Sequence, residues 1–285
     1  MIIFLIPSNT STMLLSFVSF FIQVRIVNNV KSTAVMGLGY CKHFGAEVCF
    51  HTYNLLLIIA TTVCAINAHT IFYRMISLKD QNRSVVKKKT LIFFYHYSIP
   101  LGVFIFTYIP KMDMISVYNE TVTQHPEYYF EPFGIFGGYA DSHNIYQTLN
   151  TLILAALTLS VPIFGIYCRK KTIKVLNTSR NALSAKTVEQ FKTFIMGLTL
   201  QILFPSICYV SVGSLYIFNK YSGFEPLLIT QYLVGIFLTL PSVLDPMCTI
   251  YFTVPYRKAV RKIIFDREQS SVIGMIVPHA MFQNL

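Results

Sequence analysis

The chain has 285 residues, 54% of them hydrophobic and only 12% charged, with a mean hydropathy of +0.54. That balance excludes an ordinary soluble domain, in which about a quarter of the residues are charged. The formal net charge of +11 would suit nucleic acid, but the basic residues flank apolar stretches and form no stripe interleaved with stacking aromatics, which argues against that partner. It suits the anionic inner leaflet of a lipid bilayer instead.

All 23 Lys and Arg lie outside six long apolar blocks, and of the 12 Asp and Glu only Asp245 lies inside one. A bilayer core takes about 20 apolar residues per helix, and hydrocarbon obliges every backbone polar group to pair internally. The pattern therefore predicts an all-α, polytopic membrane helical bundle with spans at Ile2–Gln23, Val48–Tyr73, Leu91–Ile109, Tyr146–Cys168, Phe194–Phe218 and Pro226–Val254. The bundle occupies residues 1–254 and a tail occupies 255–285. In the first block Ser8-Asn9-Thr10-Ser11-Thr12 is a polar patch. A spanning helix tolerates such a patch when it faces protein, so it should point into the bundle. Met1 leads directly into apolar sequence without a basic n-region or small-residue cleavage site, so a removable signal peptide is not expected.

Charge sets the orientation. The segments Arg74–Lys89, Arg169–Lys192 and the tail from Arg257 together hold 18 of the 23 basic residues, and they alternate along the chain. The positive-inside bias places them, and the C-terminus, in the cytoplasm. The loop from Pro110 to Ile145 has one basic residue, Lys111, against five acids and belongs outside. Asn119-Glu120-Thr121 within it is an N-glycosylation sequon. The same pattern also occurs at Asn9, Asn82 and Asn177.

Of the six cysteines, Cys64, Cys168, Cys208 and Cys248 fall in or at the ends of spans, where a buried free thiol is the ordinary state. Cys41 and Cys49 lie near the outer face and could pair with each other or with nothing. Cys41-x-His43 is too short for a zinc site, and Gly37-x-Gly39 lacks the third glycine or the lysine of a phosphate loop. No nucleophile, base and acid come together at helical spacing. Neither an enzyme nor a metal or cofactor site is expected.

The last span is the richest in chemistry. Asp245 is the one carboxylate at membrane depth, where an unpaired charge costs at least about 2.5 kcal/mol. Pro241 and Pro246 each remove a backbone donor nearby. A carboxylate at a loosened turn suits a conformational switch or, in a six-helix transporter or channel, an ion or proton site. Phe204-Pro205 predicts a second kink, in the fifth block. Tyr53, Asn54, Asn150, Tyr209, Gln231 and Tyr232 are polar residues in the outer halves of spans and are the candidate ligand contacts of an outward-opening pocket.

Asp245-Pro246 resembles the Asn/Asp-Pro-x-x-Tyr element of seven-helix receptors, with Thr249 at the Tyr position and Tyr251 two residues later. The string through Pro255-Tyr256-Arg257, together with Gly39–Phe50 and Ser19–Ile26, resembles nematode serpentine chemoreceptors of class delta, or a close sister class, across nearly the whole chain. The resemblance implies a G-protein-coupled-type chemosensory receptor in the plasma membrane of a sensory cell. Its partners would be a small odorant- or pheromone-like ligand outside and a heterotrimeric G protein inside. It aligns the six spans with the family's second to seventh helices and implies that the first is missing, through truncation or a mis-assigned start. A truncated, non-signalling product is thus a further alternative. Tyr73-Arg74 stands where rhodopsin-like receptors carry Asp/Glu-Arg-Tyr, but the acid is missing, with Phe72 before Tyr73, and no ionic lock is expected there. With Tyr256 and Arg257, this pair is expected to face the G protein.

Overall fold

The computed structural model describes residues 2–79, 83–93, 97–178, 185–221, 228–252, 257 and 260–263. Among these residues the α-helices are α1 (Ile2–Ile22), α2 (Ala46–Lys79), α3 (Arg83–Phe93), α4 (Ser98–Tyr108), α5 (Ile115–Gln124), α6 (Ile145–Thr178), α7 (Ala185–Tyr221) and α8 (Leu228–Phe252). Among the described residues, four helices are long and apolar enough to cross a bilayer by length and composition: α2, α6, Val188–Phe218 of α7 and Gln231–Phe252 of α8. Ile6–Ile22 and α4 are shorter apolar helices, and they fall in the first and third blocks.

The helices outrun the apolar blocks. At 1.5 Å per residue, the 34-residue α2 and α6 are each about 51 Å long, against a hydrocarbon core of about 30 Å. Arg74 and Lys79 thus sit on the end of α2, and Arg169 to Lys174 on the end of α6. Much of the basic sequence that reads as loop is helix projecting beyond the apolar layer. Central in the bundle is α2, which packs against α1, α4, α6 and α7. It is buried on nearly every side, as an apolar helix without a polar face must be.

The helical prediction did not include the sheet that covers one end. Strands β1 (Val24–Asn28), β2 (Thr33–Gly37), β3 (Met112–Asp113) and β4 (Gly137–Tyr139) form one antiparallel sheet in the order β1-β2-β4-β3. It joins the two segments, 24–47 and 110–145, that charge alternation assigns to the same side. Alternation along the strands gives the sheet two faces. Val24, Ile26, Val35 and Tyr139 pack onto the helices. Val27, Ala34 and Met36 join Val117, Phe133 and Phe136 in a small separate core under α5.

Cys41 and Cys49 form a disulfide with a Cα–Cα distance of 5.0 Å, which resolves the alternative left open by the sequence. A Cβ at Gly37 would lie 2.4 Å from Cys41 Sγ, and one at Gly39 would lie 2.3 Å from the Phe21 carbonyl oxygen. The Gly37-x-Gly39 pair lets backbone pass beside the disulfide and the end of α1.

Candidate functional site

Beneath the sheet a cavity of about 270 Å³ lies between α2, α6, α7 and α8. Ile26, Thr33 and Tyr139 bring the sheet to its wall. About half of the rest is aliphatic, and hydroxyl and amide groups come from Tyr53 and Thr61 of α2, Gln147, Asn150, Thr151 and Thr158 of α6, and Ser206, Tyr209, Ser214 and Tyr216 of α7. No Asp, Glu, Lys, Arg or His stands among the described lining residues. Tyr139 is fixed in this wall: its hydroxyl donates to Asn54 Oδ1 at 2.7 Å, and its ring meets Phe50 edge-on at 4.9 Å. Burial, with Tyr53 nearby, raises the Tyr139 phenol well above its ordinary range, so it stays a neutral donor.

The expected pocket residues separate into two groups. Tyr53, Asn150 and Tyr209 line the cavity. Asn54 is buried behind Tyr139. Gln231 and Tyr232 belong to a different structure, the enclosure around Arg25. Arg25 Nε donates to Gln231 Oε1 at 2.9 Å, and the Gln231 amide donates to the Tyr128 hydroxyl at 3.1 Å. The guanidinium carbon lies 5.0 Å from the ring centre of Tyr128, 5.2 Å from Phe133 and 5.1 Å from Tyr232. Three aromatic faces thus surround a cation that is 2% exposed. Burial lowers its pKa, partly offset by Tyr232 and Tyr128.

A second polar centre surrounds Asp245, which is 5% exposed. Its Oδ2 accepts from the Thr12 hydroxyl at 3.2 Å, and the side chains of Asn67 and Gln201 also face the carboxyl. Gln201 Nε2 donates to Thr249 Oγ1 at 2.5 Å. Thr249 in turn donates to the Asp245 carbonyl at 3.0 Å. Ser8 donates to Asn67 Oδ1 at 3.1 Å. Residues of α1, α2, α7 and α8 therefore meet at one carboxylate, and Ser8 and Thr12 of the polar patch do face inward.

The prolines adjoin this centre. Pro246 has no N–H for the Ser242 carbonyl, and the Ser16 hydroxyl donates to that carbonyl at 3.4 Å instead. By the same logic Pro205 deprives the Gln201 carbonyl of its helical donor. Pro241 is buried one turn further out on α8.

A family model described as serpentine type 7TM GPCR chemoreceptor Srd matches residues 1–262. The chain belongs to this family. It is 33% identical to serpentine receptor class delta-63 of Caenorhabditis elegans over 262 residues, covering 92% of this chain and 80% of that relative. To class delta-50 of the same organism it is 32% identical over 256 residues, covering 89% of this chain and 74% of the relative. To class delta-59 it is 28% identical over 266 residues, with 93% and 81% covered. No solved structure matches it. The protein is thus a multi-pass membrane chemoreceptor of the serpentine type.

At the opposite end of the receptor from the sheet, the Arg74 guanidinium lies 4.7 Å from the centre of the Phe194 ring, a cation–π contact that ties α2 to α7. Tyr73 packs beside the neighbouring apolar cluster. Arg257 is exposed, and Tyr256 lies outside the described residues. At the sheet end Asn119 is exposed on α5, while Thr121 of its sequon is buried and accepts a hydrogen bond from Asn29 at 2.7 Å.

Sequence reasoning did not single out Arg25, Tyr139 or Gln147. Gln147 precedes Asn150 by three residues, so helical spacing alone puts both on one face of α6. Tyr139 reaches the cavity through strand pairing, and Arg25 reaches its aromatic enclosure through its strand's burial; neither carries a local signal.

Proposed function

We propose that the receptor binds a small molecule in the cavity under the sheet and signals through helix rearrangement to a heterotrimeric G protein at the cytoplasmic end. The observation that carries this reading is the cavity itself: a concave, partly open space with a mostly apolar surface in which hydroxyl and amide groups are set, as small-molecule sites are. The switch would be the Asp245 centre with Pro246, Pro241 and Pro205, where hydroxyl and amide partners from four helices can be exchanged for one another. Tyr73, Arg74, Tyr256 and Arg257 would face the G protein, with the basic ends of α2, α6 and α7 and the tail in the cytoplasm of a sensory cell. Asp245 does not line the cavity, which favours a relay role over passage of an ion or proton past it.

The test is expression in cultured cells with parallel recording of second messenger and membrane current. The reading expects a compound that changes second messenger without current and loses its effect in Asp245→Leu at preserved surface display. A ligand-gated current abolished by Asp245→Asn would instead establish a channel or transporter. Absence of surface-labelled protein would identify a non-signalling product. Glycosylation at Asn119 is proposed with the same orientation, and Asn119→Gln should abolish a glycosidase-sensitive gel shift.

A further inference from the structure

The cavity wall carries two carbonyl oxygens with no protein partner. Asn150 is 4% exposed and Gln147 is 8% exposed. Both line the cavity, and Asn150 Oδ1 and Gln147 Oε1 have no hydrogen-bond partner. Their neighbours fix which end of each amide is left over. Thr107 Oγ1 gives its proton to the Val103 carbonyl at 2.5 Å and must accept from Asn150, whose Nδ2 lies 3.2 Å away. Tyr139 gives its proton to Asn54, so the Gln147 side chain that faces its hydroxyl can meet it only as a donor. The Asn150 nitrogen is therefore engaged, the Gln147 nitrogen is turned to Tyr139, and each oxygen is left without a partner behind the cavity wall.

Resting on the receptor reading above, we infer that this site selects an uncharged ligand carrying a hydrogen-bond donor, a hydroxyl or an amide N–H, directed at Gln147 and Asn150. A buried unpaired acceptor is costly, whereas an apolar group of equal shape leaves it unpaired. Neither oxygen has accessible surface as the side chains stand, so a ligand's donor group pairs them through a small turn of each amide toward the cavity, and a hydrocarbon offers them nothing to turn to. The described lining residues include no acid to neutralise an ammonium ion and no base for a carboxylate, so burying a charged ligand among them goes uncompensated. Size follows as well. An apolar cavity of about 150 Å³ holds a benzene; the 270 Å³ here accommodates about ten non-hydrogen atoms.

The test uses purified receptor in lipid nanodiscs and pairs of equal size: 2-phenylethanol with propylbenzene, and 1-octanol with nonane, with 2-phenylethylammonium as the charged member. Affinities are referred to free aqueous concentration after subtracting uptake by empty nanodiscs. The alcohols should bind at least about tenfold more tightly than their hydrocarbons relative to lipid partitioning. The ammonium ion should not bind. Gln147→Leu with Asn150→Leu should erase the preference while leaving hydrocarbon binding intact. Hydrocarbons that match their alcohols in the unmodified receptor would overturn the inference without reference to any variant, as would a preference that survives the double substitution. Because binding is read without signalling, a preserved alcohol preference with no second-messenger response would refute the receptor reading and leave this one standing.

Discussion

Arg25 and Asp245 are the two Arg, Lys, Asp or Glu side chains buried among the described residues, and the chain surrounds them in opposite ways. Arg25 sits in a strand and meets three aromatic rings and one amide. Asp245 sits between helices and meets a hydroxyl, with amides and a second hydroxyl close by. Rings that pack on a planar cation offer one good geometry, so the Arg25 enclosure is a fastening that holds the sheet and the loop around Tyr128 to α8. Hydroxyls and amides can turn about a single bond and find a new partner, so the Asp245 centre has alternatives of similar energy. The contrast assigns rigidity to the sheet end and adaptability to the middle of the bundle.

Four substitutions test that division, beginning with the largest effect. Arg25→Ala opens the aromatic enclosure and strands Gln231 Oε1; it should destabilise by about 3 kcal/mol, seen as a lower thermal midpoint in detergent. Arg25→Met, which fills the space without charge, should be far milder. Equal losses for both would make the cation itself the fastening. Cys41→Ser opens a disulfide between cysteines eight residues apart, and a loop of this size corresponds to about 2.5 kcal/mol. An unchanged midpoint under reducing conditions would remove the disulfide from the rigid end. Tyr139→Phe takes the donor from Asn54 Oδ1 and should shift stability by about 1–2 kcal/mol. Asp245→Asn keeps the shape and an acceptor for Thr12, so it should shift stability by less than about 1 kcal/mol while altering signalling. A drop in midpoint like that of Arg25→Ala would erase the distinction between the two ends.

What the sequence revealed follows the same boundary. The four described helices long and apolar enough to cross a bilayer were readable because lipid demands long apolar runs, and Ser8 and Thr12 of the polar patch announced their inward face, whereas Thr10 between them is exposed. Strands were not readable. Val24-Arg-Ile-Val-Asn continues the apolar character of α1, and Gly137-Gly-Tyr has no strand signature until β2 pairs with it. The cavity was half visible for a geometric reason. Depth along a helix can be counted in residues, and so Tyr53, Asn150 and Tyr209 were located near the right level. Direction around the helix could not be counted for α2, whose apolar residues circle it, and Asn54 turned out to face Tyr139. Gln231 and Tyr232 are at the expected depth but are taken up by Arg25, a partner supplied by a strand.

With β-pairing, the disulfide and the Arg25 enclosure all at one end, the helices resemble the blades of shears closed at the pivot. α7 carries Pro205 twenty residues from its first residue, Ala185, an arm of about 30 Å. Over that arm a tilt of roughly 10° would swing the far tip by about 5 Å. Small changes in bonding beside Asp245 would thus emerge magnified along α7, by about 3 Å where Phe194 meets Arg74 and most at the far tip, with the cavity scarcely altered in outline.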